Sequence, residues 1–254
     1  WTVTGSQKWS NGLPGPSNYP MIIDVDGDPE GEVIYLSPGS ISVFDDDGTL
    51  LWDAATESSA PPWPPCAADF DGDGDVDIGW GDKNVFQVYD TDGTKLWSSW
   101  TVDTSGSASC SAFDFDGNGS YEVVYADEDY FWIFDGQTGN PLFQDSGHAS
   151  GTLVEYPVIV DVDGDGSAEI ISPSMNQIPF FSKLGGIGGV TSYGHRDNEW
   201  AGAGSSWNAH DFASTNYNAD GTVFATTPSW QTDNMFHGRP PLGLSSTDLS
   251  VTIS

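Results

Sequence analysis

DFDGDGDVD, residues 69–77, sets oxygen-bearing side chains at positions one, three, five and nine around a tight glycine turn. The stretch recurs as DVDGDPEGE from Asp24, DFDGNGSYE from Asp114 and DVDGDGSAE from Asp161, with first aspartates 45, 45 and 47 residues apart. A hard divalent cation such as calcium takes six to eight oxygens at about 2.3–2.6 Å, and a sharply turning loop with acids on alternate residues can supply them. The expected ligands are Asp69, Asp71, Asp73 and Asp77 in the second copy. They are Asp24, Asp26, Asp28 and Glu32 in the first; Asp114, Asp116, Asn118 and Glu122 in the third; Asp161, Asp163, Asp165 and Glu169 in the fourth. Position seven (Glu30, Asp75, Ser120 and Ser167) completes each set, through its carbonyl as at Asp75.

One such loop would read equally well as a solvated acidic hairpin, because Asp and Gly are turn formers. Four copies in register, each ending in a carboxylate followed by an apolar strand, point to metal. An EF-hand is disfavoured: its bidentate Glu belongs at position twelve between helices, and position twelve here is Tyr35, Trp80, Tyr125 or Ser172. The third loop, with Asn118 in place of an Asp, has the fewest carboxylates and is expected to bind most weakly. Pro29 replaces a loop glycine in the first without removing an oxygen.

Thirty-eight acidic residues against six basic ones give a formal charge of -32, which repels phosphate and excludes nucleic acid as a partner. Four bound divalent cations would reduce that charge to about -24. No apolar run approaches the ~18 residues of a membrane span, and no N-terminal stretch reads as a signal peptide. The chain starts at Trp1 and is read as a mature product or an excerpt of a longer secreted precursor. Extracellular calcium modules bind at about 10⁻⁴–10⁻³ M, which places the expected location outside the cell or on its surface.

Around each loop the pattern predicts four short strands per ~45 residues, the signature of a propeller blade. The first unit reads NYPMIID, loop, EVIYLS, ISVFD and TLLWDA; the second CAADF, loop, IGWGD, NVFQVYD and TKLWSSW; the third SAFDF, loop, VVYADE, DYFWIFD and PLFQD. The fourth begins with PVIVDV and IISPSM, is interrupted by NQIPFFSKLGGIGG, and resumes at VTSYG. A second series, Trp9, Trp52, Trp97 and Phe143, runs at spacings of 43, 45 and 46, so the chain enters in mid-repeat. Periodic aromatics such as Trp80, Trp97 and Trp132 are expected between blades rather than as sugar platforms. Cys66 and Cys110 hold nearly equivalent places in successive units. A disulfide and a pair of buried thiols both remain open, since a one-residue offset can turn side chains to opposite faces.

The loops DFDGDGDVDI and DVDGDGSAEI, each leading into a strand, resemble FG-GAP/VCBS repeats, the calcium-binding blades of integrin-type β-propellers and of secreted bacterial proteins. The resemblance covers residues 19 to 175. Endings such as GTLLW are similar to the outer strands of quinoprotein-like repeats. The tail from Ser205 resembles the closing segment of large bacterial surface proteins, and SSTDLSVTIS the opening of an adhesion-type immunoglobulin-like domain. The resemblance implies an all-β propeller of about five four-stranded antiparallel blades, four of them with DxDxDG loops, binding up to four Ca²⁺. Residues 1–10 would be the outer strand of the closing blade, 11–190 the four loop-bearing blades and 191–243 the closing blade or irregular tail. In that closing blade, residues 1–10 would pair near Trp207 to Trp230. Residues 244–254 would begin a linker or next domain.

The function expected is a calcium-stabilised extracellular scaffold or adhesion module of a larger protein, binding a protein partner or self-assembling, and not an enzyme. A carbohydrate-binding propeller is the alternative, with Trp63, Trp200 or Trp207 as exposed aromatics; a secreted hydrolase or lyase ranks behind both. His148, His195, His210 and His237, with Asp197, Glu199 and Asp211 as acidic neighbours, form no triad by spacing alone. Arg196 and Arg239 are read as ion-pair anchors in the tail. Gly185 to Gly189 lacks the lysine and helix of a phosphate loop, and the glycosylation triplet at Asn118 falls on a metal position.

Overall fold

The computed structural model describes residues 5–13, 20–57, 63–152, 155–175, 186–217, 222–223, 229–242 and 252–253. Its elements are all-β apart from two 3₁₀ turns, Ser214–Asn216 and Ser229–Gln231. Four antiparallel sheets follow one another in the chain. The first contains β1 (Met21–Ile23), β2 (Glu32–Ser37), β3 (Ser40–Phe44) and β4 (Leu50–Ala55). The second contains β5 (Cys66–Ala68), β6 (Asp77–Asp82), β7 (Val85–Tyr89) and β8 (Lys95–Trp100). The third contains β9 (Cys110–Phe113), β10 (Glu122–Ala126), β11 (Phe131–Phe134) and β12 (Pro141–Asp145). The fourth contains β13 (Val158–Val160), β14 (Glu169–Ser174), β15 (Gly189–Gly194) and β16 (Thr252–Ile253).

Within each sheet the strands pair in chain order, as in a propeller blade. The strand pattern follows from burial on two faces. β6 is buried at every position, whereas β4 alternates between exposed and half-buried residues. In the first three blades the outer strands β4, β8 and β12 all carry exposed residues. Three apolar clusters fill the gaps between successive blades. Trp80 joins Ile34 and Val43 in the first gap, and Trp97 and Trp132 meet Phe86 in the second. The periodic tryptophans are therefore core. Trp200, expected to be exposed, is only 3% exposed, because it packs on Phe115 at a ring distance of 4.5 Å.

In the first three blades the last hairpin carries a bulge at the same place, Val43/Phe44, Val88/Tyr89 and Ile133/Phe134. The turns there close on Gly48, Gly93 and Gly139, all at positive φ. The outer-strand tryptophan of the preceding unit docks on that turn. Trp52 Nε1 donates to the carbonyl of Thr91 at 2.7 Å and Trp97 Nε1 to that of Gly136 at 2.5 Å. Trp9 does the same to Asp46 at 2.8 Å. A second repeated clamp sits at the end of the second strand. Asp82 accepts the backbone N–H of Glu57 at 2.9 Å, Asp127 that of Val102 at 2.7 Å, and Ser174 Oγ lies 2.8 Å from His148 Nδ1.

Cys66 and Cys110 form a disulfide joining β5 to β9, with Cα atoms 5.5 Å apart. Despite the one-residue offset, both side chains lie in the second gap. The tail then crosses the first strands in turn. Asn234 Oδ1 accepts from Asp24 N at 2.9 Å, Phe236 exchanges two backbone bonds of 2.9 Å with Ala67, and the His237 carbonyl accepts from Ala112 N at 2.9 Å. Arg239 Nη1 reaches the Ile159 carbonyl at 3.3 Å. Residues 234–239 thus strap all four blades.

The tail departs from expectation in two respects. Thr252–Ile253, assigned above to a following linker or domain, pairs with Tyr193 and Gly194 as the outer strand of the fourth sheet. β15 offers an open edge, and no local pattern predicts which distant segment fills it. Arg239 anchors the tail through carbonyls, and among the described residues no ion pair to it is found: it also donates to Gly204 and, at 2.7 Å, to Ser206, with its guanidinium 5.0 Å from the Phe212 ring. The expected pairing of residues 1–10 with the tail falls partly on residues 1–4, 218–221 and 224–228, outside the described residues. Residues 176–185 of the interruption at 176–189 lie outside them as well.

Candidate metal loops

Each acidic loop joins the first two strands of its blade, and the position-nine acid opens the second strand. That placement buries it: Glu32, Asp77, Glu122 and Glu169 are all buried. Each reaches back to the backbone N–H of position two. The bonds are Val25 to Glu32 at 2.7 Å, Phe70 to Asp77 at 2.8 Å, Phe115 to Glu122 at 2.9 Å and Val162 to Glu169 at 3.0 Å. The position-one aspartate accepts from the position-four glycine at 2.7, 2.7, 2.7 and 2.6 Å, in chain order. Position three accepts from position five at 3.1–3.2 Å. Position five accepts from position seven at 2.7–2.9 Å. The same turn has been built four times.

Positions one, three and nine converge. Asp24, Asp26 and Glu32 bring one carboxylate oxygen each within 4.8 Å of the others, as do Asp69, Asp71 and Asp77, and Asp114, Asp116 and Glu122. Residues 24–80 match the FG-GAP-like repeat. The match runs from the first aspartate of the first loop to Trp80 in β6, so it covers the first blade and the opening of the second.

A search of curated proteins finds no match. Among solved structures, the chain is similar to the V. cholerae biofilm matrix protein Bap1, with a TM-score of 0.74 at 18% identity. That likeness covers 88% of this chain and 64% of Bap1, so the chain spans less than two thirds of that relative's length. Looser likenesses, to BBS1N in complex with ARL6DN (TM-score 0.47, 11% identity, 75% of this chain and 54% of that one) and to BamB from Moraxella catarrhalis (0.39, 14%, 70% and 45%), carry no argument. The Bap1 likeness supports the fold.

The four acidic loops concentrate negative charge where water is scarce. Burial is the largest cause raising Glu122 to about 9, Asp77 to about 8, and Glu32 and Glu169 to about 7; neighbouring aspartates add to it, and the position-two N–H opposes it. Glu32 Oε1 is buried without a hydrogen-bond partner, although its other oxygen is satisfied. A buried carboxylate oxygen without a donor is costly. A divalent cation bound by the converging oxygens relieves both the orphaned oxygen and the repulsion, so the residues fit a hard metal ion.

The loops are not identical. Gly74, Gly119 and Gly166 at position six lie at φ of 92–100° and donate to the position-one aspartate at 2.9–3.1 Å. Pro29 holds that position in the first loop; it can neither donate nor take positive φ. Of the position-seven residues, Ser120 spends its hydroxyl on the Phe70 carbonyl across the blade gap. Between the first two loops and the strap lies a cavity of about 610 Å³, lined by Asp24, Asp26, Asp69, Asp75, Tyr121 and Asn234.

Of the other singled-out residues, His210, Asp211 and His237 each bring one ligand atom within 4.8 Å of the other two. His195 Nδ1 accepts the backbone N–H groups of Asp197 and Glu199 at 3.1 Å, and His210 Nδ1 lies 3.0 Å from Asp211 Oδ1. Trp63 and Trp207 are half-buried, and Trp207 stacks on Phe212 at 4.2 Å.

Proposed function

We propose that the chain is a calcium-stabilised scaffold or adhesion module working outside the cell, holding a protein partner or further copies of itself, and not an enzyme. The observation that carries this reading is the fourfold loop, with its buried position-nine carboxylate and, at Glu32, an oxygen lacking a donor. The ligands would be Asp24, Asp26, Asp28 and Glu32 with their counterparts Asp69, Asp71, Asp73 and Asp77; Asp114, Asp116, Asn118 and Glu122; and Asp161, Asp163, Asp165 and Glu169. Position-seven carbonyls would complete the shells. Bound calcium supplies positive charge and closes each loop; it needs no chemical step.

An extracellular setting fits loops that fill at about 10⁻⁴–10⁻³ M calcium, and it fits the likeness to a biofilm matrix protein. No helix among the described residues is long and apolar enough to cross a membrane. Calcium titration by calorimetry, with light scattering on the same samples, tests the proposal. Uptake of up to four equivalents with selectivity over Mg²⁺ supports it, and growth of large particles on calcium addition supports self-assembly. Absence of saturable uptake at millimolar calcium counts against it.

A further inference from the structure

Away from the acidic loops, the tail gathers a different donor set. His210, Asp211 and His237 each place one ligand atom within 4.8 Å of the other two. His210 and Asp211 are exposed, whereas His237 is fully buried. Its ring is tightly held: Tyr156 stacks on it at 4.5 Å and 3°, and Phe236 at 4.5 Å and 21°. The backbone at His237 sits at φ 51°, a region a non-glycine residue enters at a cost and keeps only when its surroundings enforce it.

The hydrogen bonding of that ring is over-supplied with acceptors. Nδ1 lies 3.2 Å from the carbonyl of Cys110, and Nε2 lies 3.0 Å from the carbonyl of His210. Ser109 Oγ is also 3.2 Å from Nδ1, but its hydroxyl donates to the Pro64 carbonyl at 2.8 Å. A neutral imidazole has a single N–H for these two carbonyls. The second proton that would satisfy both would place a full charge on a ring that is wholly buried, which is costly. With the N–H on Nδ1 and donated to Cys110, Nε2 turns a lone pair toward an oxygen. A cation beside Nε2 resolves the conflict.

We propose that His210, Asp211 and His237 form a site for a borderline divalent transition ion, of which Zn²⁺ is the type, distinct from the oxygen-only calcium loops. Two imidazole nitrogens and a carboxylate suit Zn²⁺, Ni²⁺ or Cu²⁺, whereas Ca²⁺ takes oxygen alone. The Nδ1 contact to Cys110 is the outer hydrogen bond that fixes the tautomer of a ligating histidine. Reaching bonds of about 2.0–2.2 Å requires His210 and Asp211 to close on the fixed ring, and neither lies in a helix or strand. Three protein donors leave a position for water or an incoming group. The ion would fasten residues 234–239 to the tail at 210–211.

The test uses the full chain, stripped with chelator and returned to excess Ca²⁺. Zn²⁺ is titrated by calorimetry, and Co²⁺ is followed by its visible absorption. The expected result is a single equivalent of Zn²⁺ bound in the presence of Ca²⁺, weakened about tenfold or more in H210A and in D211N. Both variants alter exposed side chains, and an unchanged melt in calcium verifies their fold. Failure of the native chain to bind Zn²⁺ stoichiometrically in calcium overturns the proposal, as does binding that both variants retain undiminished. A loss of the calcium response leaves these readings untouched, so the two claims fail separately.

Discussion

Trp52 of the first blade lies flat against Gly93 in the last turn of the second: a Cβ at Gly93 would stand 2.9 Å from Trp52 Cγ, where φ is +83°. The glycine is required twice, once by the turn and once by the ring. Trp9 against Gly48 and Trp97 against Gly139 repeat the contact, so blade-to-blade docking is built from one tryptophan, one glycine and one indole N–H to a carbonyl.

Gly93→Ala is therefore expected to cost about 3 kcal/mol, combining left-handed strain with overpacking. Gly39→Ala, at φ +93° with open space around it, carries the strain alone and is expected to cost about 1–2 kcal/mol. Thermal melts of the two variants in calcium check the difference. Equal losses would show that the tryptophan contact adds nothing.

The disulfide between Cys66 and Cys110 spans 44 residues, and in the chain-entropy view closing such a loop is worth about 4 kcal/mol. The double variant C66A/C110A is expected to lose about 2–4 kcal/mol in denaturant unfolding, with its calcium uptake retained. Unchanged stability would contradict the account of the two central blades as covalently tied.

Glu122 and Asp77 are held near 9 and 8 by burial, against ordinary values of 4.5 and 3.8. Each binds its proton more tightly folded than unfolded. In calcium-free buffer their contribution to stability is full below the unfolded values and is lost as pH climbs through the folded ones. The apo melting temperature is expected to fall between pH 5 and about pH 9. Saturating calcium, which needs the charged carboxylates, should remove or reverse that slope. A melt series at matched ionic strength measures both arms.

Glu122→Gln separates the two roles of one side chain. It removes the proton uptake that folding of Glu122 requires at pH 8, so the apo variant should melt higher than the native chain at that pH, while losing the calcium-induced rise from the third loop. A variant that melts lower without calcium and gains as much from it would place the ion elsewhere.

Much of this was legible because the chain repeats itself. The period of 45 residues, the acids on alternate positions and the tryptophan series are local signals, and each maps onto a strand, a loop or a docking ring. VTSYG resumed as β15 after the interruption. The pairing of Thr252–Ile253 with β15 was not legible, since an edge strand of two residues carries no periodicity. Nor was the strap at residues 234–239, whose contacts with Asp24, Ala67, Ala112 and Ile159 are made mainly through backbone groups and carbonyls. Trp200 misled because a nonperiodic aromatic in an irregular tail gives no sign of which gap it fills. The loops themselves needed only the spacing of their carboxylates.

The most direct measurement is the melting temperature of the intact chain in a chelator and in millimolar calcium at pH 7.5. Four sites binding only the folded state, at about ten times their Kd, would together stabilise it by about 6 kcal/mol, since each contributes about 1.4 kcal/mol. A rise of about 10 °C or more is expected, which Mg²⁺ does not reproduce. A melt indifferent to calcium and chelator would contradict it: the loops would be acidic turns, and the proposed scaffold would stand without its ions.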